Sequence, residues 1–124
     1  MTISRTLAVF LAALFLLLAR PAAADAYLSA VDDLPLMAGL KEAVGQGVVF
    51  DAPQGRIVQA YATGPLSPTE VEKFYAATLP QLGWRADGPL RFNREGERLT
   101  LEITETGGAS VTVLFILTPT PKSP

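Results

Sequence analysis

The side chains that most often carry enzyme chemistry are absent from this chain. Its 124 residues include no histidine and no cysteine. This removes the commonest general base, the usual zinc ligands and the thiol nucleophile. Asp32 and Asp33 form the one adjacent acidic pair, and a solvated loop before Pro35 explains them as well as a catalytic site would. The sequence therefore predicts no catalytic residue, no metal site and no cofactor.

Basic side chains are concentrated in one short region. Four arginines lie within fourteen residues, with Glu95 and Glu97 among them. They are Arg85, Arg91, Arg94 and Arg98. One interpretation is an anion-binding corner formed by Arg91, Arg94 and Arg98. The other is a solvated hairpin whose positive charge is halved by the two glutamates.

The last predicted strand is apolar on both of its faces. Leu114 and Ile116 lie two residues apart and point to the face opposite Val113 and Phe115. The last strand of a meander is often a sheet edge, which can accept a strand of another chain. We therefore expect a partner-binding surface. Its residues are Leu114, Ile116, Tyr61 and Ile57. Alternatively, the segment 34–40 folds over Leu114 and Ile116 and makes them ordinary core.

One helix has clear signals at both ends. Ser67 is suited to cap it, Pro68 fits its first position, and Glu70 completes a capping box. Apolar residues then recur at the spacing of one helical face. They are Val71, Phe74, Tyr75, Leu79 and Leu82. Because Pro80 interrupts the hydrogen bonding, the helix should end near Leu79 or kink and finish by Leu82.

Alternating apolar residues predict strands before and after this helix. They cover about 56–63, 84–93 with a break at 87–89, 98–106 and 110–118. The sequence therefore predicts an α+β domain, in which one amphipathic helix packs on a mainly antiparallel sheet in the order strand, helix, strand, strand, strand. We expect the domain at 48–117, preceded by an irregular segment at 25–47 and followed by a flexible, proline-rich tail at 118–124.

The first 24 residues have the features of a cleaved secretion signal. Arg5 precedes an apolar run from Leu7 to Ala19, and small residues follow up to Ala24. We expect cleavage after Ala24 or, as the second choice, after Ala26. The run is shorter than a bilayer requires, so a permanent membrane span is the weaker interpretation, and we expect no stable span after processing. The protein is then exported, to the periplasm or the exterior.

The charge of the processed chain argues against nucleic acid as a partner. Ten basic residues, of which Arg5 and Arg20 lie in the signal, leave eight against twelve acidic ones, a net charge of −4. A mildly acidic domain has no general electrostatic attraction for nucleic acid or anionic lipid.

One segment carries a family resemblance. The helix-to-strand segment from Phe74 to Trp84, with the pattern F-Y-x-x-x-L-P-x-L-G-W, resembles small exported bacterial proteins of unknown function. The resemblance implies a strand-helix-strand-strand-strand fold and a cell-envelope location. It implies no activity and no site residues.

Three functions are compatible with these observations. The first is a non-catalytic envelope module that binds another envelope protein through a sheet face or an edge strand. The second is a carrier that holds a small apolar ligand between helix and sheet. The third is a hydrolase that relies on carboxylates, which the missing motifs disfavour. The sequence leaves the partner and the oligomeric state open.

Overall fold

The computed structural model describes residues 26–121, in which one helix packs against a mostly antiparallel sheet. This is the predicted α+β arrangement. The strands are β1 (Tyr27–Leu28), β2 (Val31–Pro35), β3 (Lys41–Glu42), β4 (Val48–Ala52), β5 (Gly55–Gly64), β6 (Arg85–Ala86), β7 (Arg91–Arg94), β8 (Glu97–Thr106) and β9 (Ser110–Pro119). The helix α1 (Pro68–Thr78) continues into a 3₁₀ turn (Leu79–Leu82).

The predicted helix signals are confirmed. The Ser67 hydroxyl accepts a hydrogen bond from the Glu70 N–H at 3.2 Å, and the Glu70 carboxylate accepts one from the Ser67 N–H at 2.9 Å. Pro68 occupies the first turn, where its missing N–H costs nothing. The chain leaves the 3₁₀ turn at Gly83, whose φ of 91° lies in the left-handed region that glycine tolerates best.

The main sheet joins strands that are far apart in sequence. Its order is β3-β5-β9-β8-β7-β6, with β4 also paired to β5. Strand β9 therefore lies in the middle of the sheet, between β5 and β8. The expectation that the last strand is an edge is wrong, because β5, which precedes the helix, pairs along its second side from Val58↔Leu117 to Gly64↔Val111.

The core lies between the sheet and α1. Small residues on β5, Ala60 and Ala62, allow the helix to approach closely, and its Val71 and Tyr75 are fully buried above them. The adjoining strands contribute larger apolar side chains to the same layer. They are Leu99, Leu101, Val111, Val113, Phe115 and Leu117. Each fully buried aliphatic side chain contributes roughly 1.5–3 kcal/mol to folding.

The N-terminal segment 25–47, which we expected to be irregular, contains the strands β1, β2 and β3. Its Leu28, Val31 and Leu34 are buried in the same core as the helix. The predicted order of elements thus omits the strands that precede β5, and the folded domain begins well before residue 48.

Two predicted boundaries remain, the start of the C-terminal tail and the end of the signal, and only the first lies within the described residues. Strand β9 continues to Pro119, so the first two residues of the predicted tail are paired with β8. The predicted signal at 1–24 and the last three residues, 122–124, lie outside the described residues. Within 26–121, no helix is long and apolar enough to cross a membrane.

Candidate functional site

The four residues predicted to bind a partner share one face of the sheet. In β5, Val58, Ala60 and Ala62 point to the helix, so Ile57 and Tyr61 point away from it. On β9, Leu114 lies directly opposite Tyr61, and Ile116 lies opposite Gln59. Cross-strand neighbours share a face. The structure therefore brings Ile57, Tyr61, Leu114 and Ile116 together on what we call the open face, where all four side chains are half-buried.

The alternative prediction places the segment 34–40 over Leu114 and Ile116. The segment 34–40, the alternative cover, packs instead on the helix side of the sheet. There the Tyr75 hydroxyl donates a hydrogen bond to the Pro35 carbonyl at 2.9 Å and accepts one from the Met37 N–H at 3.2 Å. Leu34 and Leu40 belong to the helix-side core. Leu114 and Ile116 are thus not covered in the way that the alternative requires.

Strand β4 extends the apolar surface and was missed as part of a site. Phe50 lies opposite Ile57, and Val48 lies opposite Gln59, so both belong to the open face. With the four residues above they form what we call the apolar strip: Val48, Phe50, Ile57, Tyr61, Leu114 and Ile116. Val48, Val49 and Phe50 are 48%, 60% and 51% exposed. Three consecutive apolar residues are the signal that identifies this strand, once its place at the sheet edge is known.

The open face, which is mainly apolar on β4, β5 and β9, becomes polar on β8. On β8, Thr100 lies opposite Ile116 and Glu102 lies opposite Leu114. Polar side chains therefore border the apolar strip on the side of β8. An apolar centre beside a polar margin is the usual composition of a protein–protein interface.

The predicted anion-binding arginines already have partners within the chain. Arg94 is held most firmly, with its guanidinium 2.7 Å from the Asp33 carboxylate and 3.0 Å from the Leu82 carbonyl. It also lies 4.3 Å from the centre of the buried Trp84 ring, a cation–π geometry. An anion at Arg94 would compete with the carboxylate of Asp33.

The other two arginines are bound in the neighbouring turn. Arg91 donates to the Asp87 carbonyl at 2.9 Å. Arg98 donates to the Asn93 side chain at 3.2 Å and lies 3.5 Å from the Asp87 carboxylate. Arg91 and Arg98 therefore both contact Asp87, whereas Arg94 contacts Asp33 and Leu82. An anion site at Arg91, Arg94 and Arg98 remains a prediction to which this geometry adds no support.

The buried Tyr75 is the most perturbed titratable group among the described residues whose pKa shift is resolved. Burial raises the pKa of its hydroxyl to about 12, although the hydrogen bond from Met37 opposes that rise. The ring also packs edge-on against Phe74 and Phe115. Because both hydrogen bonds of the hydroxyl go to backbone groups of the N-terminal segment, Tyr75 joins that segment to the helix and serves the fold.

The layer between helix and sheet is filled by side chains. Val71, Tyr75 and Leu79 on the helical side and Ala62 and Val113 on the sheet are all fully buried. An open groove of about 570 Å³ lies outside this layer, where Tyr27, Met37 and Leu82 are among its lining residues. A ligand between helix and sheet, as the carrier hypothesis requires, would have to displace core side chains.

Neither the search for metal-binding clusters nor the comparison with known proteins indicates an activity. Among residues 26–121, no group of three acidic side chains is arranged to hold a metal ion. No family model, curated protein or solved structure matches the chain. A functional assignment therefore depends on the geometry of the open face and of its neighbouring edge.

Proposed function

We propose that this chain is an exported, non-catalytic module of the cell envelope that binds another protein through the apolar strip of the open face. The observation that carries the proposal is the strip itself. Six large apolar side chains lie around Gln59 on three adjacent strands, on the face away from the helix. Val48 and Phe50 are exposed and the other four side chains are half-buried. An apolar patch of this kind at a protein surface commonly marks an interaction site.

The chemistry of the face favours a protein partner. Tyr61 and Phe50 offer aromatic surface, and aromatic residues are enriched in the energetic centres of interfaces. The polar border at Thr100 and Glu102 would remain at the rim of such a contact. The carrier alternative is weaker, because the layer between helix and sheet that should hold a ligand is occupied by Tyr75 and its neighbours.

Export is part of the proposal, and one hydrogen bond distinguishes the two expected cleavage positions. The Leu36 N–H donates a hydrogen bond to the Ala26 carbonyl at 2.8 Å. Cleavage after Ala24 keeps this acceptor, whereas cleavage after Ala26 removes it and places a charged amine on Tyr27. We therefore expect the mature chain to begin at Asp25.

Photo-crosslinking in intact cells tests the partner surface. Benzoylphenylalanine in place of Tyr61 should give one discrete adduct. Its mass should differ from that of two crosslinked copies of this chain. The same probe at Ala77, an exposed position on α1, is the matched control and should give none. The adduct should disappear when Leu114 and Ile116 are both replaced by threonine, while circular dichroism still shows a cooperatively melting, folded domain.

Two outcomes would contradict the proposal. One is an equal yield of adducts at Tyr61 and Ala77, which would show that the face has no preference for a partner. The other is an adduct at Tyr61 that survives the double threonine variant, which would show that Leu114 and Ile116 do not contribute to binding.

A further inference from the structure

Strand β4 presents an edge whose one charged residue, Asp51, lies near its C-terminal end. It pairs only with β5, and in the described part of the chain its outer side pairs with no strand. Natural edge strands are commonly protected from pairing with another chain by charged side chains, by bulges or by being very short. The neighbouring β3 carries Lys41 and Glu42, and the opposite edge strand β6 has only two residues. The Val48–Phe50 stretch of β4 has neither device.

The backbone of β4 shows which groups remain free. The Tyr61 carbonyl accepts a hydrogen bond from Ala43, so alternate residues of β5 turn their backbone groups toward this edge. Val48 and Phe50 lie opposite two of those residues, Gln59 and Ile57. Because backbone groups alternate along a strand, Val49 turns its N–H and C=O outward, as Asp51 does.

The sequence of this edge is complementary to itself. If a second copy runs antiparallel with Val49 on the two-fold axis, Val49 faces Val49 of that copy, and Val48 faces its Phe50. Asp51 then faces Gly47, so no like charges oppose each other. Shifting the centre to Phe50 would instead place each Asp51 opposite a valine, a worse match.

We infer that β4 is a homodimer edge, at which two copies of this chain join their sheets antiparallel around Val49. The register satisfies both outward groups of Val49 and pairs apolar with apolar side chains on both faces of the strand. The contact is short, limited by the turn at 43–47 and by Pro53. We expect a weak dimer with a dissociation constant that is measurable by sedimentation.

This inference goes beyond the proposed function, because it concerns the sheet edge and does not require the open face to bind anything. The two are connected by geometry. With the two-fold axis perpendicular to the sheet, both open faces lie on the same side, and Phe50 of one copy neighbours Val48 of the other. The dimer would therefore present one apolar strip of double width.

A disulfide trap tests the register. The chain has no cysteine, so Val49→Cys introduces the only thiol. Directly opposed, hydrogen-bonded residues have Cα atoms about 5.5 Å apart, within the range that a disulfide spans. We expect mild oxidation to convert the full processed chain to a covalent dimer. Val44→Cys is the matched control: Val44 is 70% exposed in the turn before β4 and should not crosslink.

Sedimentation velocity over a concentration series supplies the second readout. Val49→Lys should raise the dimer dissociation constant about tenfold or more, because two ammonium groups would meet at the axis. Val44→Lys should leave it unchanged, as should the double threonine variant at Leu114 and Ile116. A melt of each variant verifies that it is folded. Val49→Thr, which keeps a β-branched side chain, substitutes for the lysine variant if that fails to fold.

The inference is overturned if the unmodified chain remains monomeric at millimolar concentration. It is also overturned if the cysteines at positions 49 and 44 crosslink equally fast. Loss of dimer only in the double threonine variant would move the contact from the edge to the open face.

Discussion

The hydroxyl of Tyr75 should be worth a measurable part of the stability of this domain. It donates to the Pro35 carbonyl at 2.9 Å and accepts from the Met37 N–H at 3.2 Å. Tyr75→Phe keeps the buried ring but removes both hydrogen bonds. At about 0.5–1.5 kcal/mol for each bond, the free energy of unfolding should fall by about 1–3 kcal/mol.

The same substitution should change how stability depends on pH. The pKa of Tyr75 is raised to about 12 in the folded state, above the value of about 10 for an unfolded chain. The folded state therefore holds its proton more tightly. This contribution is complete below about pH 10 and is lost as the pH rises toward about 12. Between about pH 9 and pH 11, the advantage of the unmodified protein over Tyr75→Phe should shrink by about 1 kcal/mol.

Urea unfolding followed by circular dichroism at several pH values measures both effects. Each kcal/mol should also move the melting temperature by about 4–8 °C in a domain of this size. Tyr27→Phe is the matched control, because Tyr27 is 50% exposed and its hydroxyl has no buried role. If Tyr75→Phe unfolds at the same urea concentration as the unmodified protein, then the tie between helix and N-terminal segment is energetically unimportant and the reasoning fails.

Three further substitutions test separate parts of the fold. Ser67→Ala breaks the capping box with Glu70 and should cost about 0.5–2 kcal/mol in urea unfolding; no change would show that the cap is dispensable. Trp84→Ala empties a core site and should cost about 3–5 kcal/mol, and in the unmodified protein iodide should quench its fluorescence poorly. Gly64→Ala places a methyl group against the Gly39 carbonyl and should cost about 1–3 kcal/mol by thermal melt, whereas a neutral result would show that this backbone contact is loose.

Local sequence signals predicted the helix and the alternating strands well. The capping box at Ser67 and Glu70 depends only on residues within one turn, and it is formed as expected. The alternation in β8 and β9 reflects a single pleated strand, so it needs no knowledge of distant residues. The α+β class follows from these two kinds of signal.

The pairing of strands that are distant in sequence could not be predicted from local patterns. Residues near Val58 pair with residues near Leu117, and no local pattern indicates which edge of a hairpin a distant strand will choose. The mistaken edge position of β9 has this origin. The short strands of the N-terminal segment were missed because their buried residues, Leu28, Val31 and Leu34, are three apart and do not alternate.

The candidate site also contains residues that local sequence indicates and residues that only the assembled sheet indicates. Leu114 and Ile116 were found because two apolar faces on one strand are visible in a single stretch of sequence. Val49 was not found, because its importance depends on β4 being an edge, which only the assembled sheet reveals. The partners of the arginines were hidden for the same reason: Asp33 reaches Arg94 from a different part of the chain.

The central position of β9 also determines when this domain can fold. Until Ser110–Pro119 has been synthesised, β5 and β8 each lack the neighbour that pairs with most of their length. A growing chain therefore gains little from early structure, and the main sheet cannot form until β9 has been synthesised. Contacts between such distant strands make folding slow, on the order of milliseconds to seconds. During this interval the apolar β4 is unpaired and open to aggregation. The same delay would favour the export proposed above, if the chain crosses the membrane unfolded.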